Sequence, residues 1–253
     1  MIGGGPRLRG LHSVREQFPL SLHGVGASLG GPELCDTKHI TAIRKLIDRF
    51  EPESVSEHAV WSSANGVYYA DLLPLPRTQL AMQRLVDGVN HFQEGIGRHI
   101  LLENPSNYLP VVSEMDEADF LVSVSEQTGC GLLIDVNNIY VSSQNCGIDA
   151  AAYIHAIPAE RVGEIHVAGF DPDPKLGKRL LIDSHASDVA PEVWELLDLA
   201  LAHFGPKPVL LERDDNLPAY SMLLEERATA EQAIERSNSV SHEPLNDKDK
   251  RYA

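Results

Sequence analysis

The chain has 253 residues, 43% apolar and 23% charged, with a formal net charge of −16. That size suits a globular protein with a substantial core, and the acidic balance argues against a general nucleic-acid or anionic-membrane surface, both of which favour an excess of Lys and Arg. No run approaches the roughly 18 apolar residues of a membrane span, and the opening MIGGGPRLRG lacks the apolar centre of a signal peptide. Cys35, Cys130 and Cys146 are too few for a disulfide framework and lack CxxC spacing, so a reduced cytoplasm is the expected setting.

In chain order, RLRGLHSVREQF (7–18) reads as a short helix with no strand before it, and PLSLHGVG (19–26) as the first strand. Ile40, Ile43, Ile47 and Phe50 then form one helical face, ESVSEHAVW (53–61) a strand, and Leu85, Val89, Phe92 and Ile96 a second helical face. After the strand RHILLENP (98–105), SEMD predicts a capping box with Ser113 as N-cap and Asp116 in place of the usual Glu, opening the helix that begins EADFLVSV. Strands GLLIDVNN (131–138), GEIHVAGF (163–170) and RLLIDSHAS (179–187) follow; then come a helical face of Trp194, Leu197 and Leu201, strand KPVLLERD (207–214), and a last helix over 218–236. Residues 1–236 are expected to form one domain, and the polar, charge-mixed segment 237–253 a disordered tail.

Strands alternating with helices predict βα units around a parallel sheet. Polar residues recur at the C-terminal end of nearly every strand, which favours a (β/α)8 TIM-type barrel, whose strand ends converge on one mouth, over an open sheet. Eight strands are needed and seven are found; the expectation is a barrel lacking its first strand.

The strand-end residues are His23, His58, Glu103, Asp135, His166, the pair Asp183 and His185, and Glu212. Each alone has an ordinary reading: a hydrogen-bonded histidine, a loop-capping Glu103, an Asx turn at Asp135. Together they place four carboxylates and four imidazoles at one mouth. Carboxylates crowded there raise one another's pKa unless a cation joins them, and interleaved imidazoles complete a metal-ligating set. Eight donors exceed what one ion uses, so two or three ions, bridged by a carboxylate such as Glu103, fit the count. In LLIDSHAS, Asp183 and His185 are expected to share one strand face by the i, i+2 rule. Asn104, Asn107, Asn137 and Asn138 are candidates to orient ligands or substrate, with Asn138, three after Asp135, also a possible ligand. Glu57 alternates to the opposite face from His58 and is expected outside the site.

The segments LSLHGVGASLG, VSEHAVWSS, DLLPLP, LLENPSNYL, GLLIDVNNIYVSSQN, GEIHVAGF, LLIDSHAS and LLERDDNLP resemble, in order, those of the DUF692 (UPF0276) family, the multinuclear non-haem iron-dependent oxidative enzymes. The resemblance runs from about residue 5 to 225. It implies a TIM barrel related to xylose isomerase and two or three irons held by His23, His58, Glu103, Asp135, His166, Asp183, His185 and Glu212, with Asn138 a further possibility. It also implies O2-dependent modification of a residue, most often Cys, in a ribosomally made precursor peptide, delivered by a small partner protein. Two departures stand out. The family's first strand, ahead of a turn resembling GGGPRL, is missing, and Ala70 stands in YYADLLPLP where relatives often carry Asn. The same ligand order also resembles the trinuclear zinc site of endonuclease-IV-like phosphodiester hydrolases, although Asn138 replaces a His there and the chain is acidic. A third reading is an inactive truncated remnant.

Overall fold

A computed structural model of the protein describes residues 5–240. Its elements, in order, are α1 (Pro6–Arg15), β1 (Ser21–Gly24), α2 (Thr37–Phe50), β2 (Ser54–His58), β3 (Trp61–Ala64), β4 (Val67–Leu73) and α3 (Gln79–Ile96). Next come β5 (Leu101–Glu103), α4 (Glu117–Thr128), β6 (Gly131–Asp135), α5 (Val136–Cys146), α6 (Ala150–Ala156) and β7 (Val162–Ala168). The chain continues through β8 (Asp171–Asp173), β9 (Gly177–Ile182), α7 (Pro191–Phe204), β10 (Val209–Glu212) and α8 (Tyr220–Val240).

Six strands form one parallel sheet in the order β1-β2-β5-β6-β7-β10. The sheet curls. Glu164 of β7 accepts hydrogen bonds at 3.0 Å from Ser21 of β1 and Ser54 of β2, strands three and four places away, and the rings of His23 and His166 have centroids 5.2 Å apart. A flat sheet with strands about 4.8 Å apart would keep these groups well beyond contact. The inner face therefore carries Ser21 and His23, then Ser54, Ser56 and His58, then Glu103, Asp135, Glu164, His166 and Glu212. Alternate residues Val55, Leu102, Leu132, Ile134, Ile165 and Val167 face outward and pack with Phe50, Leu85, Phe92, Ile154 and Leu197 of the helices into the apolar core. This α/β barrel of TIM type agrees with the strand–helix rhythm of the sequence. β1 and β10 are the sheet's edges, and among the described residues neither outer edge is paired.

Several expectations are corrected. The sequence around 179–187 is not a barrel strand: β9 stops at Ile182 and pairs antiparallel with β8 in a separate hairpin, so the parallel sheet has six strands rather than seven. A second hairpin, β3–β4, begins at Trp61, and β2 ends at His58. Ser113 does not cap a helix; its hydroxyl donates to the Val111 carbonyl while its backbone bridges Arg77, and Asp116 occupies the N-cap of α4 without a side-chain bond. The last helix runs to Val240, four residues into the segment expected to be a tail. Residues 241–253, the rest of that segment, lie outside the described residues, as do residues 1–4.

Helix α3 lies against the loop after β1 so closely that a Cβ on Gly88 would overlap the Leu29 carbonyl. Backbone on both sides of that contact leaves no flexible group to yield. Gly88→Ala is therefore expected to destabilise the chain by about 1–3 kcal/mol, despite alanine's better helix propensity; urea unfolding of the two proteins measures it.

Candidate metal centre

Six strands, β1, β2, β5, β6, β7 and β10, and the loop after β9 bring the predicted donors together. Glu103 stands centrally, its Oε2 3.1 Å from His23 Nε2 and 3.2 Å from His58 Nε2, and its Oε1 3.8 Å from His166 Nδ1. Glu212 continues the chain of contacts, with one oxygen 3.3 Å from His166 Nδ1 and the other 3.3 Å from His185 Nδ1. Four overlapping groups have donor atoms all within 4.8 Å of one another: His23, His58 and Glu103; His23, His166 and Glu212; Glu103, Asp135 and His166; and Asp135, His185 and Glu212. Asp183 is in none of them. Its Oδ1 accepts from Asn137 at 2.7 Å and lies 2.7 Å from His185 Nε2. No cysteine is in these groups.

His185 reaches the cluster by a different route from the other donors. It sits in the left-handed region at φ 48°, so the strand rule that pairs it with Asp183 does not apply. Its loop is held from several sides. Asp171 accepts from the hydroxyls of Ser184 at 2.6 Å and Ser187 at 2.5 Å, bracketing the histidine. His185 N donates to the Gly169 carbonyl at 3.0 Å, its own carbonyl accepts from Asp214 N at 2.9 Å, and Arg213 donates to the Ala186 carbonyl and to Asp188.

Burial makes this cluster electrostatically unstable by itself. Glu103 and Asp135 are 1% and 0% exposed. Asp135 Oδ1 caps α5, accepting from Asn138 N at 2.7 Å, which leaves Oδ2 aimed inward without a partner. Glu103 Oε2, both His166 nitrogens and His185 Nε2 are likewise buried without hydrogen-bond geometry. Burial first, then the charges of Glu103 and Asp183, pushes the Asp135 carboxyl well above its ordinary range. Burial opposes ionisation of Glu103 too, but the His58 and His23 rings outweigh it and hold that group down to about 2. For His166 burial again opposes the charge, yet Glu164, Glu212 and Glu103 push the ring up to about 11; Asp183, Asp135 and Glu212 push His185 up to about 10 in the same way. Protons hold the cluster together where the donor set suits cations. Orphaned buried oxygens and imidazole nitrogens facing one another at 3–4 Å are the environment that hard and borderline metal ions satisfy.

Comparison with known proteins decides which barrel this is. The model of a family described as "RiPP precursor modification enzyme MbnB/TglH/ChrH" matches residues 1–235. The chain belongs to that family. A UPF0276 protein of Caulobacter vibrioides is 47% identical over 245 residues, covering 96% of this chain and 87% of that protein, and one from Paraburkholderia phytofirmans is 42% identical over 252 residues, covering 96% and 81%. Among solved structures, an L-ribulose 3-epimerase aligns over 96% of this chain and 86% of its own with TM-score 0.63 at 13% identity. Endonuclease IV from Thermus thermophilus aligns over 94% and 84% with TM-score 0.53 at 17% identity. At those identities the structural likeness shows the shared barrel fold and no more.

In this member of the MbnB/TglH/ChrH family, three of the four predicted asparagines surround the donors. Asn104 pairs through its side chain with both the N–H and the carbonyl of Asp135, prolonging the β5–β6 ladder by one rung. Asn137 holds Asp183. Asn138 is fully engaged as a strut, donating to the Asn104 carbonyl and accepting from Ser106 at 2.6 Å. Asn107 serves elsewhere: it donates to Glu117, which also pairs with Arg77 and Tyr153, outside the cluster. Glu57 is outside the donor set, as its strand parity requires, but buried, accepting from Ala27 N. Sequence reasoning misses Glu164 and Asp171. The first is detectable, since it stands two before His166 and so shares its strand face; nothing local marks the second.

Two outcomes follow for this family member. Ions that took His166 and His185 as ligands would displace their protons, so loading with Zn(II) near neutral pH is expected to release protons, read by calorimetry in buffers of different ionisation enthalpy. Affinity rises with pH over the same range. The raised histidines also stabilise the metal-free chain fully below about pH 6.5, and that contribution fades as pH climbs toward 10 to 11. A Cβ at Gly169 would overlap the Ser187 carbonyl, displacing the loop that carries His185. Gly169→Ala is expected to lower metal content by about one ion per chain, counted by elemental analysis, while the far-UV spectrum stays that of the parent.

Proposed function

We propose that this chain is a multinuclear iron-dependent enzyme that uses O2 to modify a residue, cysteine above all, of a ribosomally synthesised precursor peptide in the cytoplasm, with a small partner protein delivering the peptide. What carries the reading is the conjunction of family membership with a buried cluster of seven carboxylate and imidazole donors in four overlapping groups. The ions, two or three in number, would be held by His23, His58, Glu103, Asp135, His166, His185 and Glu212, with Asp183 at the edge of the set. Glu103 belongs to two groups and each of its oxygens faces a different one, which suits a bridging carboxylate. Zinc suits the same donors, and phosphodiester hydrolysis by a zinc centre is the competing chemistry; the family's description as precursor-modifying favours a peptide substrate over a phosphodiester.

Iron supplies the O2 and one-electron chemistry that side chains lack. The chain's own residues supply access, orientation and exclusion of water. The side chains of Glu103 and His166 are 2% and 1% exposed, whereas His23, Asp183, His185 and Glu212 are 15–20% exposed. The centre is thus sealed below and partly open at His23 and along the His185 loop, where a peptide side chain would reach it. Tyr108, whose hydroxyl accepts from Asp183 N at 3.3 Å, and Asp171 behind Ser184 and Ser187 keep this open side in one geometry. Asn137 keeps Asp183 turned toward His185. None of the described helices is long and apolar enough to cross a membrane.

The test is mass spectrometry of a Cys-containing candidate precursor peptide, sought among short reading frames near this gene, incubated with anaerobically purified protein, a candidate partner protein sought the same way, and then O2. An O2-dependent mass change is expected, falling by at least about 100-fold in rate for Glu103→Ala and His185→Ala. Full iron content with an unchanged peptide would contradict the proposal.

A further inference from the structure

Deep in the barrel, below the donor cluster, stands a carboxylate that no ligand group uses. Glu164 is 6% exposed and projects from β7 on the same face as His166. Its Oε2 accepts from the hydroxyls of Ser21 and Ser54 at 3.0 Å each. Its Oε1 lies 3.6 Å from His166 Nε2, an ion-pair distance just outside hydrogen-bond range that a small shift of the ring would close. The other ring nitrogen, Nδ1, faces the opposite way, 3.3 Å from Glu212 and 3.8 Å from Glu103. The imidazole is therefore suspended between a carboxylate outside the donor groups and two carboxylates inside them.

We infer that Glu164 is the positioning residue of the metal centre: it holds the proton of His166 on Nε2, so that Nδ1 presents its lone pair to the ions. The inference rests on the metal-centre reading above. An ionised carboxylate can only accept hydrogen bonds. Both ring nitrogens face carboxylates, but Glu212 and Glu103 on the Nδ1 side belong to the donor groups and Glu164 does not. With ions on the Nδ1 side, the one proton left to a neutral ring falls to Nε2, facing Glu164. A metal takes the nitrogen that carries no proton, which leaves Nδ1 as the ligand atom. A histidine ligand whose second nitrogen donates to a carboxylate is fixed in tautomer and orientation and is more basic toward the metal. The two serines give the arrangement its rigidity. They come from the first two strands, across the curl from β7, so the contact that orients His166 is also one that joins the two sides of the sheet. The Ser54 hydroxyl lies 2.7 Å from that of Ser21, and the pair occupies one oxygen of Glu164 and leaves the other to the histidine.

The experiment measures Zn(II) affinity of the full chain by chelator competition for the parent, Glu164→Ala, Glu164→Gln and the Ser21→Ala/Ser54→Ala pair, alongside thermal unfolding of each metal-free protein. Affinity is expected to fall about 10- to 100-fold for Glu164→Ala and less for Glu164→Gln, which keeps an acceptor without the charge, and least for the serine pair. Nitrogen-detected histidine spectra of the Zn(II)-loaded parent are expected to show His166 ligated through Nδ1 and protonated at Nε2. If Glu164→Ala does not fold, Glu164→Gln and the tautomer spectrum decide. Lower metal-free stability with unchanged affinity, or His166 ligated through Nε2, would overturn the inference and leave the metal centre standing. A parent chain that binds no Zn(II) would overturn both.

Discussion

Acidic charge buried at the end of a curled sheet is the constraint on which the rest of this structure depends. Glu103 and Asp135 are essentially inaccessible to water, and Glu212 and Asp183 are mostly so. Carboxylates in that setting persist as ions only with positive charge beside them. Among the described residues, the ion pairs these carboxylates make are with the imidazoles of His23, His58, His166 and His185. Metal-free, the cluster keeps its protons on His166 and His185. In the proposed metal-loaded form the same nitrogens and oxygens would be the ligands, and the protons would leave. The barrel holds such a cluster by surrounding it with supports that are themselves polar: Asn104 on the Asp135 backbone, Asn138 on Asn104, Ser56 on His23 at 2.7 Å.

The donors divide by how they are held. His23, His58, Glu103, Asp135, His166 and Glu212 ride on strands of one hydrogen-bonded sheet, with an apolar layer behind them that fixes strand position to within a side chain. Asp183 and His185 ride on a loop after a two-stranded hairpin, and there the fixing is done by Asp171, Asn137, Arg213 and the close approach of Gly169. A rigid floor and a separately tethered, partly exposed side is a sensible division for a site that must keep its ions while admitting a peptide side chain.

That division also explains what is legible in the sequence. A donor that ends an apolar strand is visible, because the run of Leu, Ile and Val announces the strand and its parity announces the face; Glu103 after HILL and Asp135 after GLLI are such cases. LLIDSHAS looks the same and reads as another barrel strand. Its apolar residues instead pack a hairpin against α5, where Asn145 bonds to both the N–H and the carbonyl of Leu181, and local pattern cannot tell a hairpin strand from a barrel strand of that length. The β3–β4 hairpin is hidden because Trp61 follows β2 after only two residues. Ser113 matches a capping pattern that the neighbouring strand bridge to Arg77 overrides. Asp171 does its work through residues 13 and 16 positions on, a pairing that only the folded loop creates.

Whether these side chains form one multinuclear iron centre is answered by counting iron and zinc per chain in protein purified without oxygen. Two or three irons per chain are expected, lost together when Glu103 is replaced by alanine. A single ion, stoichiometric zinc in place of iron, or full metal content in the Glu103→Ala protein would contradict such a centre.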